Sequence, residues 1–260
     1  MQKMRMSAAL ALALAAAPAA HAAGLDRCMD LPSHGAVRAA LATAQAEANG
    51  GLGFHMWGTV VDRDGVVCVV AFTGGTRGDQ WPGSRVISAQ KANTANAFSL
   101  PGFALSTANL FSAVQPGQSL FGLQHSNPVD TRAAYGGSPN QYGTAADPMR
   151  GRRSGGVNVF GGGLGLYTPA GVLVGALGVS GDTSCADHVI AWKVRHALNL
   201  DNVPGGVNPP GNDNIIHDVT VDPATGHTTS AGGFGHPTCS EASTAIATAL
   251  PASHPTGPTP

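Results

Sequence analysis

Residues 172–188, VLVGALGVSGDTSCADH, set Gly175, Gly178 and Gly181 three apart at the end of an apolar run that then breaks into Ser, Thr, Cys and Asp. Such a strand-to-helix junction can serve several chemistries. A dinucleotide-binding turn needs G-x-G-x-x-G directly after the strand and an acidic ribose partner further on, and neither is present. A nucleophile elbow needs G-x-S-x-G, whereas Ser180 is followed at once by Gly181. What remains is a length of strand without side chains, where a planar ligand or another backbone can lie close. The plain alternative is tight packing. Asp182 or Thr183 can cap the helix that follows, and Ser184 with Asp187 fits the S/T-x-x-D/E capping pattern.

The elements that must hold this junction follow from periodicity and punctuation. Ser33 is an N-cap ahead of Val37, Ala40, Leu41, Ala44 and Ala48 at helical spacing, stopped by Gly50 and Gly51. Two β-branched runs hinge at Asp64-Gly65 as a hairpin. The second run, VVCVV, is apolar at consecutive positions, so both its faces are expected to be covered. An Ala-rich helix is predicted over 83–98, a shorter one over 106–114, a second hairpin turning at Pro169-Ala170-Gly171, and a last helix over 183–198. This order predicts an α+β fold, an antiparallel sheet with helices packed on it, and not repeated parallel βαβ units. From 119 to 163 periodicity is lost, which reads as a surface excursion, and 200–250 reads as mostly irregular, wrapping back if Cys239 is bridged.

The first 23 residues, with Lys3 and Arg5 ahead of an Ala/Leu run and Ala20-His21-Ala22, read as a secretory signal, placing the mature protein in the periplasm or outside the cell. No later run approaches the roughly 18 apolar residues of a membrane span. Residues 24–250 are expected to form a single domain, and the Pro-rich 251–260 a disordered tail. The chain is 43% hydrophobic and 11% charged, with 36 Gly and a net charge of −1, which argues against nucleic acid and against an electrostatic membrane anchor. The four cysteines are too widely spaced for a CxxC metal or redox motif; the preferred pairing is Cys28 with Cys68 and Cys185 with Cys239, with Cys68 as a plain core residue the alternative.

In order along the chain, VVDRDG, QKANTANAF, QPGQSLFGLQHSN, FGGGLGL and VGALGVSG before an acidic residue and a helix resemble the GlcG and HbpS-like family of haem-binding or haem-degrading domains, and the related C-terminal domain of PduO-type proteins. The resemblance runs from Ser33 to about Leu198. It implies a compact, oligomeric α+β domain with a roughly five-stranded antiparallel sheet that holds a tetrapyrrole. Some members are secreted and degrade haem with peroxide. The excursion around 128–155 and the extension over 200–250 have no counterpart in the family pattern.

Carried over by position, Asp62 matches the family's hairpin acid, Lys91 and Thr94 its KA-x-TA helix, and Ser180 and Asp187 its strand-to-helix junction; Arg77 and Asp79 resemble its Arg-x-acid pair, displaced by an insertion. The cofactor-binding expectation is therefore Arg77, Asp79, Lys91 and Ser180. For haem iron, which takes His, Met, Cys or Tyr, the expected ligands are His125, in the matched GLQHSN segment, and His34, at the first helix start. His55 shares a strand face with Trp57, a possible stacking surface. His188 and His196 stand about 12 Å apart along one helix and cannot share a metal. Tyr135, Tyr142 and Arg150, Arg152 and Arg153 lie in the excursion, where arginines suit propionates. The resulting expectation is an exported haem-binding protein serving uptake, buffering or sensing. The alternatives are peroxide-dependent haem degradation and a module for a corrinoid or small organic acid. No acid/base pair with mutual geometry is legible.

Overall fold

A computed structural model describes residues 27–209 and 211–257. The expected secretory signal, 1–23, lies outside the described residues. Helix α1 (His34–Ala46) begins at Ser33, whose hydroxyl accepts from the Ala36 N–H. The hairpin β1 (Trp57–Asp62) and β2 (Val67–Phe72) turns where Asp62 Oδ1 accepts from Asp64 N and Val66 N, with Gly65 at φ +75°. After α2 (Ser84–Phe98), the second hairpin pairs β3 (Gly163–Tyr167) with β4 (Leu173–Ser180). The order is β2-β1-β4-β3, antiparallel throughout.

Four strands stand where about five were expected. The returning limb of the excursion reaches the free edge of β2 and pairs only briefly, Val67 N donating to Arg152 O and Gly151 N to Val67 O. Gly151, at φ +74°, ends the turn that delivers the limb to this edge, so the pairing is confined to 151–153 against Val66 and Val67 and no fifth strand develops. The helix expected over 106–114 is instead two 3₁₀ turns, Ala108–Leu110 and Ser112–Val114. The excursion itself contributes two short helices, α3 (Leu123–Ser126) and α4 (Thr131–Tyr135).

Consecutive apolar residues on the strands divide between the two sheet faces. Val60, Val69, Leu177 and Val179 face α1 and α5 (Ser184–Ala197) in the larger cluster, with Leu41, Val189 and Ile190. Val61, Val67, Val70 and Ala176 face α2, which offers only Ala89, Ala92 and Ala95. An alanine face lets a helix settle onto the sheet at close range, where dispersion contacts per atom are greatest.

The C-terminal extension adds a hairpin, β5 (Val219–Val221) with β6 (Thr228–Ser230), and a helix, α6 (Glu241–Ser253), that packs on α5. Buried Leu250 and the bond from Trp192 Nε1 to His254 O hold α6 in place past Pro251, so the helix enters the stretch read from sequence as tail. Disulfides Cys28–Cys68 and Cys185–Cys239 tie the N-terminal turn to β2 and the extension to the start of α5.

Candidate functional site

The glycine junction is filled from inside. A Cβ at Gly178 would collide with the Ser88 carbonyl oxygen and fall 2.5 Å from Ala92 N; one at Gly163, its partner across the sheet, would fall 2.5 Å from Lys91 O. Helix α2 lies in the groove these two glycines leave. The expectation of a flat ligand against this ribbon is therefore overturned, and tight packing is the explanation of the motif.

Where α2 crosses the groove it carries a buried ion pair. Lys91 Nζ donates to Asp187 Oδ2 at 2.7 Å and to Val179 O at 3.1 Å, while Asp187 Oδ1 accepts from Asp182 N at 2.9 Å. Burial pushes the Asp187 carboxyl up to about 6, against the attraction of Lys91. Ser180 follows Val179 and is buried. Lys91 and Asp187, with Ser180 next to Val179, thus lie within the packed interior and not on an open cofactor surface. Thr94 lies a helical turn from Lys91 and accepts from Asn158 N.

A hollow of about 590 Å³ opens at the other end of α2. Trp57 from the start of β1, Arg85 and Val86 from the first turn of α2, Arg77, and Tyr135 and Tyr142 from the excursion line it. Three aromatic rings and two prolines, Pro82 and Pro139, make much of its wall, and the surface it exposes is mostly apolar.

The loop bearing Arg77 is held by its neighbours. Asp79 accepts from Thr76 N at 2.8 Å and from Thr76 Oγ1 at 2.9 Å, and those donors hold its carboxyl below the usual range. Gln80 Nε2 donates to Thr76 O, and its Oε1 accepts from Gly74 N. Arg77 projects from this frame, exposed and without an ion pair among the described residues. Asp79 sets the loop and does not line the hollow.

The opposite wall depends on Arg85, whose guanidinium lies 3.6 Å over the Tyr142 ring, binds Asp147 through two nitrogens and donates to Ala134 O. Tyr142 in turn donates to Tyr135 O at 3.0 Å. Gly143, at φ +75°, passes so close that a Cβ would meet Phe72 and the Trp57 ring. His34 bonds the Gly143 carbonyl through Nε2 at 2.9 Å, fixing this wall to α1. His125 sits exposed on the four-residue α3. Neither histidine lines the hollow. His55, also exposed, bonds Thr73 through Nδ1. Sequence reasoning named Arg77, Trp57, Tyr135 and Tyr142 separately but missed Arg85, whose signal was one cation at the start of an Ala-rich helix.

Comparison with known proteins bears on this arrangement. The family model described as haem degrading protein HbpS-like matches residues 33–195. Among solved structures, the chain is 26% identical to the Klebsiella pneumoniae protein ORFY, with a TM-score of 0.44, covering 64% of this chain and 90% of that one. It is 25% identical to PduOC in a haem complex, TM-score 0.43, covering 63% and 93%. It is 19% identical to a doubly substituted HbpS of Streptomyces reticuli, TM-score 0.37, covering 74% and 99%. No curated protein matches. The match to the family model spans well over half of the sequence, and the chain belongs to the HbpS-like family of haem-degrading proteins.

Proposed function

We propose that this chain is an exported haem-binding protein that takes the tetrapyrrole into the hollow bounded by Trp57, Arg77, Tyr135 and Tyr142. The observation that carries the reading is the pairing of an unengaged arginine with flat aromatic walls around 590 Å³, inside a domain of a haem-degrading family. That volume lies in the range of about 300–1,000 Å³ typical of small-molecule and cofactor sites. The chemistry of the lining fits the group: rings and prolines for the macrocycle, the Arg77 guanidinium for a propionate. Arg85 is already neutralised by Asp147 and serves the wall. With haem in this place, Tyr135 would be the lining residue able to offer a phenol oxygen to ferric iron. His34 and His125 then act elsewhere, His34 as a brace for the excursion.

Two disulfides suit an oxidising compartment, and no helix of the described residues is long and apolar enough to cross a membrane. Uptake, buffering and sensing are all compatible with such a site. The exposed edge-to-face pair of Phe54 and Trp81, 5.2 Å between centroids, offers an apolar contact for the expected homo-oligomer. Light scattering with and without haemin reads that assembly.

Haemin titrated into the full chain should give a saturable Soret band, weakened by Arg77→Ala and shifted by Tyr135→Phe; a spectrum identical to protein-free haemin overturns the reading. The family description favours a second, enzymatic reading of the same site. A bound haem would supply the iron chemistry, while the aromatic walls hold the ring in place. Loss of the band with iron release on adding peroxide, faster than in free haemin, supports that reading, and a band that survives contradicts it.

A further inference from the structure

Outside the matched domain, the extension returns two histidines to the Cys185–Cys239 disulfide. Ligand atoms of Cys185, His217 and His236 all lie within 4.8 Å of one another, and Cys239 is bonded to Cys185. His236 is 2% exposed. Its Nδ1 donates to Pro237 O at 2.8 Å, which leaves the lone pair on Nε2, and Nε2 has no hydrogen-bond partner. A backbone carbonyl fixing one ring nitrogen so that the other points its lone pair into a site is the usual support of a metal-binding histidine. His217 makes no hydrogen bond of good geometry at either ring nitrogen; backbone groups of His236 and Pro237 lie close enough to the ring to favour its protonated form weakly, against burial, which lowers its pKa. Buried polar atoms are seldom left unsatisfied, and the orphaned Nε2 of His236 beside a disulfide needs a cause.

We propose that Cys185, Cys239, His217 and His236 form a zinc site that the disulfide keeps shut and a dithiol reductant opens. The set is the Cys₂His₂ combination of tetrahedral structural zinc. Metal-ligand distances of about 2.0–2.3 Å put such ligand atoms roughly 3.3–3.8 Å apart, so the histidines need to move inward by up to about 1.5 Å and the sulfurs, once the bond is broken, to part by about 1.7 Å. Cys185 is buried while Cys239 is exposed, which gives a reductant its point of attack. The balance is simple. The dithiol passes two electrons and two protons to the S–S bond and becomes a disulfide itself; the two freed thiols then lose their protons as two S–Zn bonds form. Either crosslink ties the extension to the start of α5, so the exchange preserves the fold and changes what holds it.

The test uses the full chain without haem, disulfide-bonded or reduced with a phosphine that is then removed without air, and Co2+ as the probe. The reduced chain should bind one Co2+ per chain, with visible bands of tetrahedral cobalt and a thiolate charge-transfer band, both lost on adding Zn2+. The disulfide-bonded chain should show neither. Cys28→Ser/Cys68→Ser should keep the signal, and His217→Ala/His236→Ala, shown folded by circular dichroism, should lose it. A reduced wild-type chain without the thiolate band, or one whose spectrum survives removal of both histidines, overturns the site.

Discussion

Arg85 grips Asp147 through two bonds, Nε to Oδ2 at 2.9 Å and a terminal nitrogen to Oδ1 at 2.5 Å, with both side chains almost wholly buried. This pair fastens the excursion to α2 and so builds the wall of the hollow. Asp147→Asn leaves the guanidinium charge buried without its counter-ion, which costs about 3–5 kcal/mol. Urea denaturation should report that loss, and haemin affinity should fall with it. Retained stability together with unchanged affinity would show that the pair does not support the wall.

The glycine groove makes a sharper steric prediction. Gly178→Ala drives a methyl into the Ser88 carbonyl of α2 and should destabilise by at least about 1–3 kcal/mol. Gly83→Ala is the control: φ is −64° there, and a Cβ meets nothing within 4 Å, so stability should hold or rise slightly. Equal thermal midpoints for the two variants would contradict the packing account.

Much of this was legible in the sequence. Hairpins announced themselves through Asp64-Gly65 and Pro169-Ala170-Gly171, Ser33 caps α1 as expected, and of the two candidates Asp182 and Thr183 it is Thr183 that caps α5. The fifth strand failed because edge pairing is decided by the path of a distant segment, here the turn at Gly151, and periodicity carries no trace of it. The glycines were read correctly as missing side chains, but a sequence cannot say what enters the gap; α2 does, through an alanine face that was itself visible. The site proved hardest. Its walls come from a strand start, a helix start and an aperiodic excursion, and their convergence depends on Arg85 and Asp147, 62 positions apart.

Acid should weaken the fold through His188. Burial holds its imidazole down to about 3, well below the ordinary 6.5, and Nε2 is engaged with Asn214 and the Ile215 N–H. The unfolded chain takes up the proton first as pH falls, so stability is complete above about 6.5 and is lost progressively toward 3, by up to about 1.4 kcal/mol per pH unit. Urea midpoints at pH 7 and 4.5 should separate more in the wild type than in His188→Gln. An equal separation would mean that His188 does not titrate with unfolding.

Removing the Cys185–Cys239 link should loosen the extension. Closing a loop across a separation of 54 residues contributes about 4 kcal/mol in the chain-entropy account. Cys239→Ser, which also removes a sulfur from the zinc set, should expose 200–257 to limited proteolysis before the matched domain. Simultaneous cleavage throughout would contradict a separately tethered extension.

The central claim is a location, and iron reports location directly. Crystals of the chain grown with haemin, measured at the iron absorption edge, should show an anomalous peak inside the hollow between Trp57, Arg77 and Tyr135. A peak beside His34 or His125 with that hollow empty of haem would contradict the account.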